Sequence, residues 1–193
     1  AEVLEQTLAD VDKIVASVNP LSMLMRLSQC TATTETVSTT VNESIKFDRM
    51  EEIIEDVVSR GEKLIVFSNW TQVLDFAKLR LKYDYAVVTG EVKDKQAQLD
   101  KFTNDDNCKV LLATIGAAGT GLTLTVANTL LFLDSPWNYA TFTQVSSRIH
   151  RIGQTKNCDI ISLLATNTID ERIMAIVEKK KKLGEAVVEG KYN

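Results

Sequence analysis

The stretch Lys63-Leu-Ile-Val-Phe-Ser-Asn-Trp70 decides the fold class of this chain. Residues 64–67 form a short, continuous apolar run that begins after a lysine and ends before Ser68 and an asparagine, which predicts a strand over 64–68. A run of this length without polar alternation predicts a strand that is buried on both faces. Strands of this kind are typical of a parallel sheet covered by helices.

Apolar runs of the same kind alternate with stretches of helical period along the rest of the chain. Further strands are predicted at residues 85–88, 109–113, 130–134 and 159–164, and helices at 47–58, 73–81, 93–102, 141–149 and 169–183. Short strands joined by helices imply an α/β doubly wound parallel sheet with helices on both faces. Ligands of such sheets bind beyond the carboxyl ends of the strands, so the loops at 68–71, 89–92, 114–120 and 135–139 are the candidate site.

The first 44 residues have a different character. Apolar residues at helical spacing on both sides of Pro20 predict two short amphipathic helices, and the Thr- and Ser-rich residues 31–44 predict an exposed loop. We therefore expect an N-terminal helical segment with a loop over residues 1–44. Residues 45–193 are expected to form one α/β lobe with a C-terminal helix.

Composition limits the class of protein. The formal net charge of −4 argues against nucleic-acid binding by bulk charge, so any DNA contact is expected to be local. No run of eighteen apolar residues is present, and the first residues lack the regions of a signal peptide, which predicts an intracellular protein without a membrane partner. Three distant cysteines and a single histidine favour reduced thiols and argue against a zinc site.

Two motifs of a complete ATPase are missing from the sequence. It contains no GxxxxGK[ST] loop to hold phosphates and no acidic DExx box directly after a hydrophobic strand to hold Mg²⁺. A nucleotide-hydrolysing role for this chain would therefore require another lobe.

A glycine-rich segment, TIGAAGTG, follows the third predicted strand at residues 114–121. Its small residues allow the backbone to approach a ligand with N–H groups forward. The alternative is an ordinary strand-to-helix turn.

The segment QVSSRIHR places three donor side chains at helical spacing. Gln144, Arg148 and Arg151 fall on one face of the predicted helix, and the two guanidiniums suit phosphate oxygens. A solvated helix end is the alternative interpretation.

Two further features bear on nucleic acid. Trp137 lies in the loop SPWN after a strand, where it can contact nucleic acid or cover the core. Lys179 to Lys182 are four consecutive lysines, which are typical of a solvated helix end.

Together, these segments resemble one known family. The resemblance is to the second lobe of the Swi/Snf helicase-like family within helicase superfamily two, over residues 45–184. It rests on KLIVFSNW, VVTGE, LLATIGAAGTGLTLTVANTLLFLDSPWN, QVSSRIHRIGQTK and TIDERI, in that order. The resemblance implies a RecA-like (P-loop NTPase-like) fold and ATP-dependent translocation on duplex DNA, with ATP and Mg²⁺ held mainly by the first RecA-like lobe.

The resemblance also implies roles for individual residues at the nucleotide. Arg148 and Arg151 would reach the γ-phosphate across the cleft as arginine fingers, with Gln144 beside them. Gly119 and Gly121 would lie at the nucleotide edge.

Five residues would face the tracked DNA strand, namely Ser68, Gly90, Thr114, Trp137 and Asn138. The sequence departs from the family pattern at two positions. Gly116 stands where a basic residue is usual, and Thr89 precedes Gly90 where the family has Asp. These departures predict weak DNA affinity for the lobe.

Two other classes of function remain open for the sequence. One is a non-catalytic DNA- or protein-docking module, and the other is an RNA helicase lobe, although the SPWN and RIHRIGQ segments favour duplex DNA. A translocase lobe would work in the cytoplasm, on the nucleoid of a bacterium or in the nucleus of a eukaryote.

Overall fold

A five-stranded parallel sheet forms the centre of the computed structural model, which describes residues 19–38, 44–118, 124–149 and 154–188. The strands are β1 (Leu64–Ser68), β2 (Asp84–Val88), β3 (Cys108–Thr114), β4 (Thr129–Phe132) and β5 (Asp159–Ser162). Their order in the sheet is β2-β3-β1-β4-β5, and every neighbouring pair is parallel. The predicted α/β class and doubly wound sheet are confirmed.

Helices connect and cover these strands. In chain order they are α1 (Pro20–Ala32), α2 (Ile45–Ser59), α3 (Thr71–Arg80), α4 (Lys95–Asn104), α5 (Ile115–Ala118), α6 (Tyr139–Ser146) and α7 (Ile169–Val188), with a 3-10 turn at Thr34–Thr36. Each predicted element from residue 47 onward has its counterpart. The predicted helix within residues 1–18 lies outside the described residues.

The two faces of the sheet carry separate hydrophobic clusters because side chains alternate along each strand. Ile65 and Phe67 of β1 pack on one face with residues of α4 and α6. Leu64 and Val66 pack on the other face with residues of α2 and α3. All residues of β1 are buried, as expected for a central strand between two helical layers.

The Thr- and Ser-rich segment differs from its prediction as an exposed loop. In its described part, Thr33, Thr36, Ser38 and Ser44 are all buried. The Thr36 hydroxyl donates to the Thr33 carbonyl at 2.9 Å, and the Ser44 hydroxyl donates to the Ala32 carbonyl at 2.9 Å. Small hydroxyl side chains can be buried here because the backbone satisfies their hydrogen bonds. Residues 39–43 lie outside the described residues.

Asp170, at the start of α7, is the most connected buried carboxylate of the helical layer. It is 1% exposed and forms an ion pair with Lys46 of α2, itself 7% exposed, with 2.5 Å between Nζ and Oδ2. It also accepts hydrogen bonds from the Thr31 hydroxyl at 2.8 Å and from the Ala165 N–H at 3.1 Å. Lys46 donates in addition to the Leu133 carbonyl at 2.9 Å. One carboxylate thus joins α1, α2 and α7.

The sequence predicted reduced cysteines and no membrane span. Cys30, Cys108 and Cys158 are free thiols. Within the described part of the chain, no helix combines the length and the apolar composition needed to cross a bilayer.

Replacing Lys46 by Met is expected to lower the free energy of unfolding by about 3–5 kcal/mol, because Asp170 would stay buried without its cation. The measurement is urea unfolding of the full chain at pH 7. Lys78→Met is the control, since its partner Asp75 is half exposed and such pairs contribute about 0–1 kcal/mol. Equal losses in the two variants would contradict the role of the buried pair.

Candidate functional site

Several residues predicted to face DNA lie at the carboxyl edge of the sheet. Ser68 and Thr114 end β1 and β3 and are direct partners in the strand register. Gly90 lies two residues beyond β2, and Asn138 begins α6 in the connection after β4. With strands about 4.8 Å apart, the edge from β2 to β4 is about 15 Å wide. The structure therefore brings together loops that are far apart in sequence.

Asp134 joins two of these loops and was missed by the sequence analysis as a site residue. Its carboxylate accepts hydrogen bonds from the Ser68 hydroxyl and from the side-chain amide of Asn69. The Asn69 N–H donates to Oδ1 at 2.9 Å, and the Asn69 amide also donates to the Ser135 carbonyl at 3.0 Å. A carboxylate directly after the buried run Leu-Leu-Phe-Leu was the available signal.

Ser68 has a different role from the one predicted for its side chain. It is 0% exposed, its hydroxyl donates to Asp134, and its oxygen accepts from the Trp70 N–H at 3.0 Å. Both hydrogen bonds of the hydroxyl are formed within the lobe, because a buried polar group needs internal partners. A contact of this side chain with DNA is therefore not supported, and Ser68 instead fixes the turn that carries Asn69 and Trp70.

The carboxyl of Asp134 is completely buried, and burial raises its pKa from 3.8 to about 6. Hydrogen bonds from Ser68 and Asn69, and the charge of Lys46, act in the opposite direction. These partners lower the pKa less than burial raises it. The carboxyl that joins the two loops therefore titrates near pH 6.

The loop after β2 presents Gly90 on an open surface. Thr89 is 2% exposed, and its hydroxyl accepts from the Glu91 N–H at 3.3 Å. Threonine here closes the turn as an aspartate would, since both side chains can accept a hydrogen bond from the backbone two residues on. The departure from Asp-Gly thus retains the turn, with Gly90 exposed.

Trp137 lines a cleft of about 280 Å³ at the same edge. The cleft also contains Trp70 and Asn138, and α1 contributes Leu21 and Met25, which are 57% and 38% exposed. Trp137 itself is half-buried, and the Asn138 side chain caps α6 by accepting from the Ala140 N–H at 2.9 Å. The cap orients the loop so that an aromatic ring and an exposed amide lie side by side.

The end of α6 carries Gln144 and Arg148, but the predicted continuous helix to residue 149 is wrong. The helix ends at Ser146, and the Arg148 N–H donates to the Val145 carbonyl at 3.0 Å in the following turn. Arg148 therefore stands one turn beyond Gln144, in tighter backbone than an α-helix. Gln144 is exposed and Arg148 is half-buried.

This end of α6 fits a nucleotide phosphate by the chemistry of its donors, because guanidinium and amide N–H groups are donors for phosphate oxygens. The remaining residues predicted for the nucleotide are Gly119, Gly121 and Arg151. All three lie outside the described residues, so their predicted roles stay predictions.

Comparison with known proteins identifies the class to which this fold and edge belong. Residues 45–153 match the model of the helicase conserved C-terminal domain. The chain is 32% identical over 154 residues to Helicase SWR1 of Cryptococcus neoformans var. neoformans, a match that covers 77% of this chain and 12% of that protein. It is 31% identical over 173 residues to an uncharacterized ATP-dependent helicase of Mycoplasma pneumoniae, covering 87% of this chain and 17% of that protein.

The fold comparison gives the same class. The crystal structure of the C-terminal part of the Fun30 ATPase domain matches with a TM-score of 0.67 and 26% identity, over 79% of this chain and 54% of that one. The lobe is RecA-like. The chain belongs to the helicase conserved C-terminal domain family, within its Swi/Snf branch.

Asp134 predicts a pH dependence of stability. Because its pKa is higher in the folded state, its contribution to stability is fully present below pH 3.8 and is lost as the pH rises through about 6. Between pH 4.5 and pH 7, the wild-type chain should lose about 2 kcal/mol that Asp134→Asn does not lose. Urea unfolding at both pH values measures the difference.

The exposed Asp106→Asn variant is the control for the loss of one carboxylate. It should follow the wild type at both pH values. If Asp134→Asn also follows the wild type, the carboxyl of Asp134 is not the titrating group.

Proposed function

We propose that this chain is the C-terminal lobe of a Swi/Snf-type ATP-dependent DNA translocase, which couples ATP hydrolysis to movement on duplex DNA. The observation that carries the proposal is the arrangement of the sheet edge. Loops that match the family motifs gather at the carboxyl ends of β1 to β4, and the end of α6 offers arginine and glutamine donors. The chain spans 12% and 17% of the two relatives named above, so this activity belongs to a longer protein.

On the nucleotide side, Arg148 and Arg151 act as arginine fingers with Gln144 beside them. Bound ATP with Mg²⁺ supplies the γ-phosphoryl group that is transferred to water. The two guanidiniums meet the negative charge that develops on this group, and Gly119 and Gly121 allow the backbone to approach the nucleotide. Support comes from the half-buried position of Arg148 next to Gln144.

The other lobe holds most of the nucleotide under this proposal. The chain has no phosphate loop and no acidic box, and its described residues contain no group of His, Cys, Asp or Glu that could hold a metal ion. We therefore assign the Mg²⁺ site to the first RecA-like lobe. The chain alone should hydrolyse no ATP, because closure of the two lobes assembles the catalytic site.

On the DNA side, Gly90, Thr114, Trp137 and Asn138 form the contact surface. Gly90 and Asn138 are exposed and Trp137 is half-exposed. Thr114 is 8% exposed, so its contact would be made mainly by the backbone at the end of β3. Ser68 supports this surface from inside, through its bonds to Asp134 and Trp70. The protein would work wherever its DNA lies, in a nucleus or on a nucleoid.

Two alternatives lead to different measurements. A docking module without catalysis would give no DNA-stimulated ATP turnover when the chain is joined to its first lobe. An RNA helicase lobe would be stimulated more by RNA than by duplex DNA. The proposal requires duplex DNA to be the stronger activator.

Replacing Arg148 or Arg151 by Ala in the complete protein should lower DNA-stimulated kcat by at least about a hundredfold, because an arginine finger acts on charge present only in the transition state. ATP affinity should change far less. Arg148→Lys and Arg151→Lys should not restore turnover, since an ammonium cannot reproduce the guanidinium fork. Turnover at saturating ATP and DNA is the measurement.

Arg49→Ala is the matched control, because Arg49 is an exposed arginine on α2 whose partner Glu52 is also exposed. It should keep normal turnover. Normal turnover in both Arg148→Ala and Arg151→Ala would contradict their role as arginine fingers.

Gly116 offers a gain-of-function test of the DNA surface. It is exposed, and a Cβ built there meets no atom within 4 Å, so a side chain fits without strain. Gly116→Lys should raise the affinity for duplex DNA several-fold and steepen the salt dependence by about one phosphate contact. Gly116→Gln has a similar length without the charge and should leave both unchanged. Equal behaviour of the two variants would contradict a DNA surface at this edge.

A further inference from the structure

Helix α7 packs against α1 and α6, and both of these helices contribute residues to the cleft around Trp137. Near its start, Asp170 contacts Thr31 at the end of α1. Further along, the Lys181 ammonium lies 5.4 Å above the ring of Tyr139, the first residue of α6. At 1.5 Å per residue, these two points are about 16 Å apart on the helix. The far part of α7 therefore lies beside the loop that carries Trp137 and Asn138.

The residues that α7 brings to this place are the four consecutive lysines. Lys179, Lys180 and Lys182 are exposed, and Lys181 is half-buried against Tyr139. Their charge contrasts with the chain as a whole, which has a net charge of −4. A local basic patch thus adjoins the edge at which the family motifs gather.

The position of the patch is fixed by a chain of aromatic contacts. Tyr139 stacks on Phe142 with ring centroids 6.5 Å apart, and Phe142 packs on the buried Phe132 of β4 at 5.3 Å. The contact of Lys181 with Tyr139 is a cation–π interaction at the end of this series. The lysine run is therefore held at a defined distance from the sheet.

We propose that Lys179, Lys180 and Lys182 form a second phosphate-binding patch, which holds the backbone of the duplex that passes Trp137 and Asn138. This inference rests on the proposed function, because it requires duplex DNA at the sheet edge. Lys181 is the anchor that positions the other three through Tyr139.

A phosphate backbone fits this patch better than an acidic helix does. Consecutive helical residues point about 100° apart. Lys179 and Lys182, three residues apart, are therefore neighbours on α7, and Lys180 points away from them, so the three exposed ammonium groups spread over nearly half of the helix circumference. An acidic partner helix would bind lysines that form a stripe along one face at i, i+4 spacing. A polyanion that crosses α7 can meet ammonium groups on several sides, and lysine binds phosphate as a point charge without strict geometry.

The test compares two double variants of the complete protein, Lys179→Gln/Lys182→Gln and Lys82→Gln/Lys156→Gln. All four lysines are exposed, and the control pair precedes β2 and β5, at the amino ends of the strands. The affinity for a labelled duplex of about 40 base pairs is measured by fluorescence anisotropy between about 50 and 300 mM KCl. A duplex of this length has roughly four helical turns, so it can contact both the sheet edge at Trp137 and the lysine patch on α7. Each lost phosphate contact lowers the slope of log K against log salt by about 0.9.

The first variant should lower that slope by about 1.8 and weaken binding at 100 mM KCl by at least about tenfold, whereas the control pair should match the wild type. At saturating DNA, kcat should stay normal in both, because the proposed contact of the lysines is with the DNA backbone and not with the nucleotide. Tyr139→Leu should weaken binding, and Tyr139→Phe should not, because the cation–π contact with Lys181 needs the aromatic ring and not the hydroxyl.

The proposal is overturned if the Lys179→Gln/Lys182→Gln variant keeps the slope and affinity of the wild type. It is also overturned if that variant loses binding to polyglutamate but not to DNA, which would assign the patch to an acidic protein partner. Failure of the wild-type protein to bind duplex DNA at all would overturn the proposed function itself, and it differs from either of these results.

Discussion

The desolvated carboxylate of Asp134 is the constraint on which the functional edge depends. It lies where β4 ends, and it receives hydrogen bonds from the end of β1. A buried carboxylate without partners would cost several kcal/mol, so the loop at 68–70 can adopt only conformations that keep its donors on this group. The same bonds fix the start of the 135–138 loop, because Asn69 also holds the Ser135 carbonyl. One buried charge thereby sets the distance between two loops that carry tryptophans.

Much of the fold could be predicted from the sequence because central parallel strands are continuous apolar runs. The predicted strand at 64–68 matches β1 at both ends, since both faces of this strand are covered and no polar residue occurs before Ser68. Strand and helix ends that depend on tertiary contacts were less predictable. Helix α6 ends at Ser146 although the helical spacing of apolar residues continues beyond it. The Thr- and Ser-rich sequence around the 3-10 turn predicted a surface loop, whereas several of its hydroxyl side chains are buried. Composition does not reveal that a carbonyl elsewhere accepts those hydroxyl protons.

The sequence predicted the location of the candidate site but not the direction of its side chains. In an open α/β sheet, the loops after the strands meet at the carboxyl edge, so Gly90, Thr114 and Trp137 could be assigned to one place. The direction of a side chain does not follow from topology. Ser68 turns inward because Asp134 requires a donor, and that partner is 66 residues away in sequence. Helix α7 is held against α1 by Asp170 and against α6 by the contact of Lys181 with Tyr139, and helical periodicity encodes neither contact.

The ion pair between Lys46 and Asp170 has a mechanical consequence. Asp170 links α7 to Thr31 at the end of α1, and Lys46 links both to α2 and to the Leu133 carbonyl beyond β4. Because α1 and α7 share this one carboxylate, disruption of the ion pair would loosen both helices together, and a movement of either helix would be transmitted to the other through Asp170.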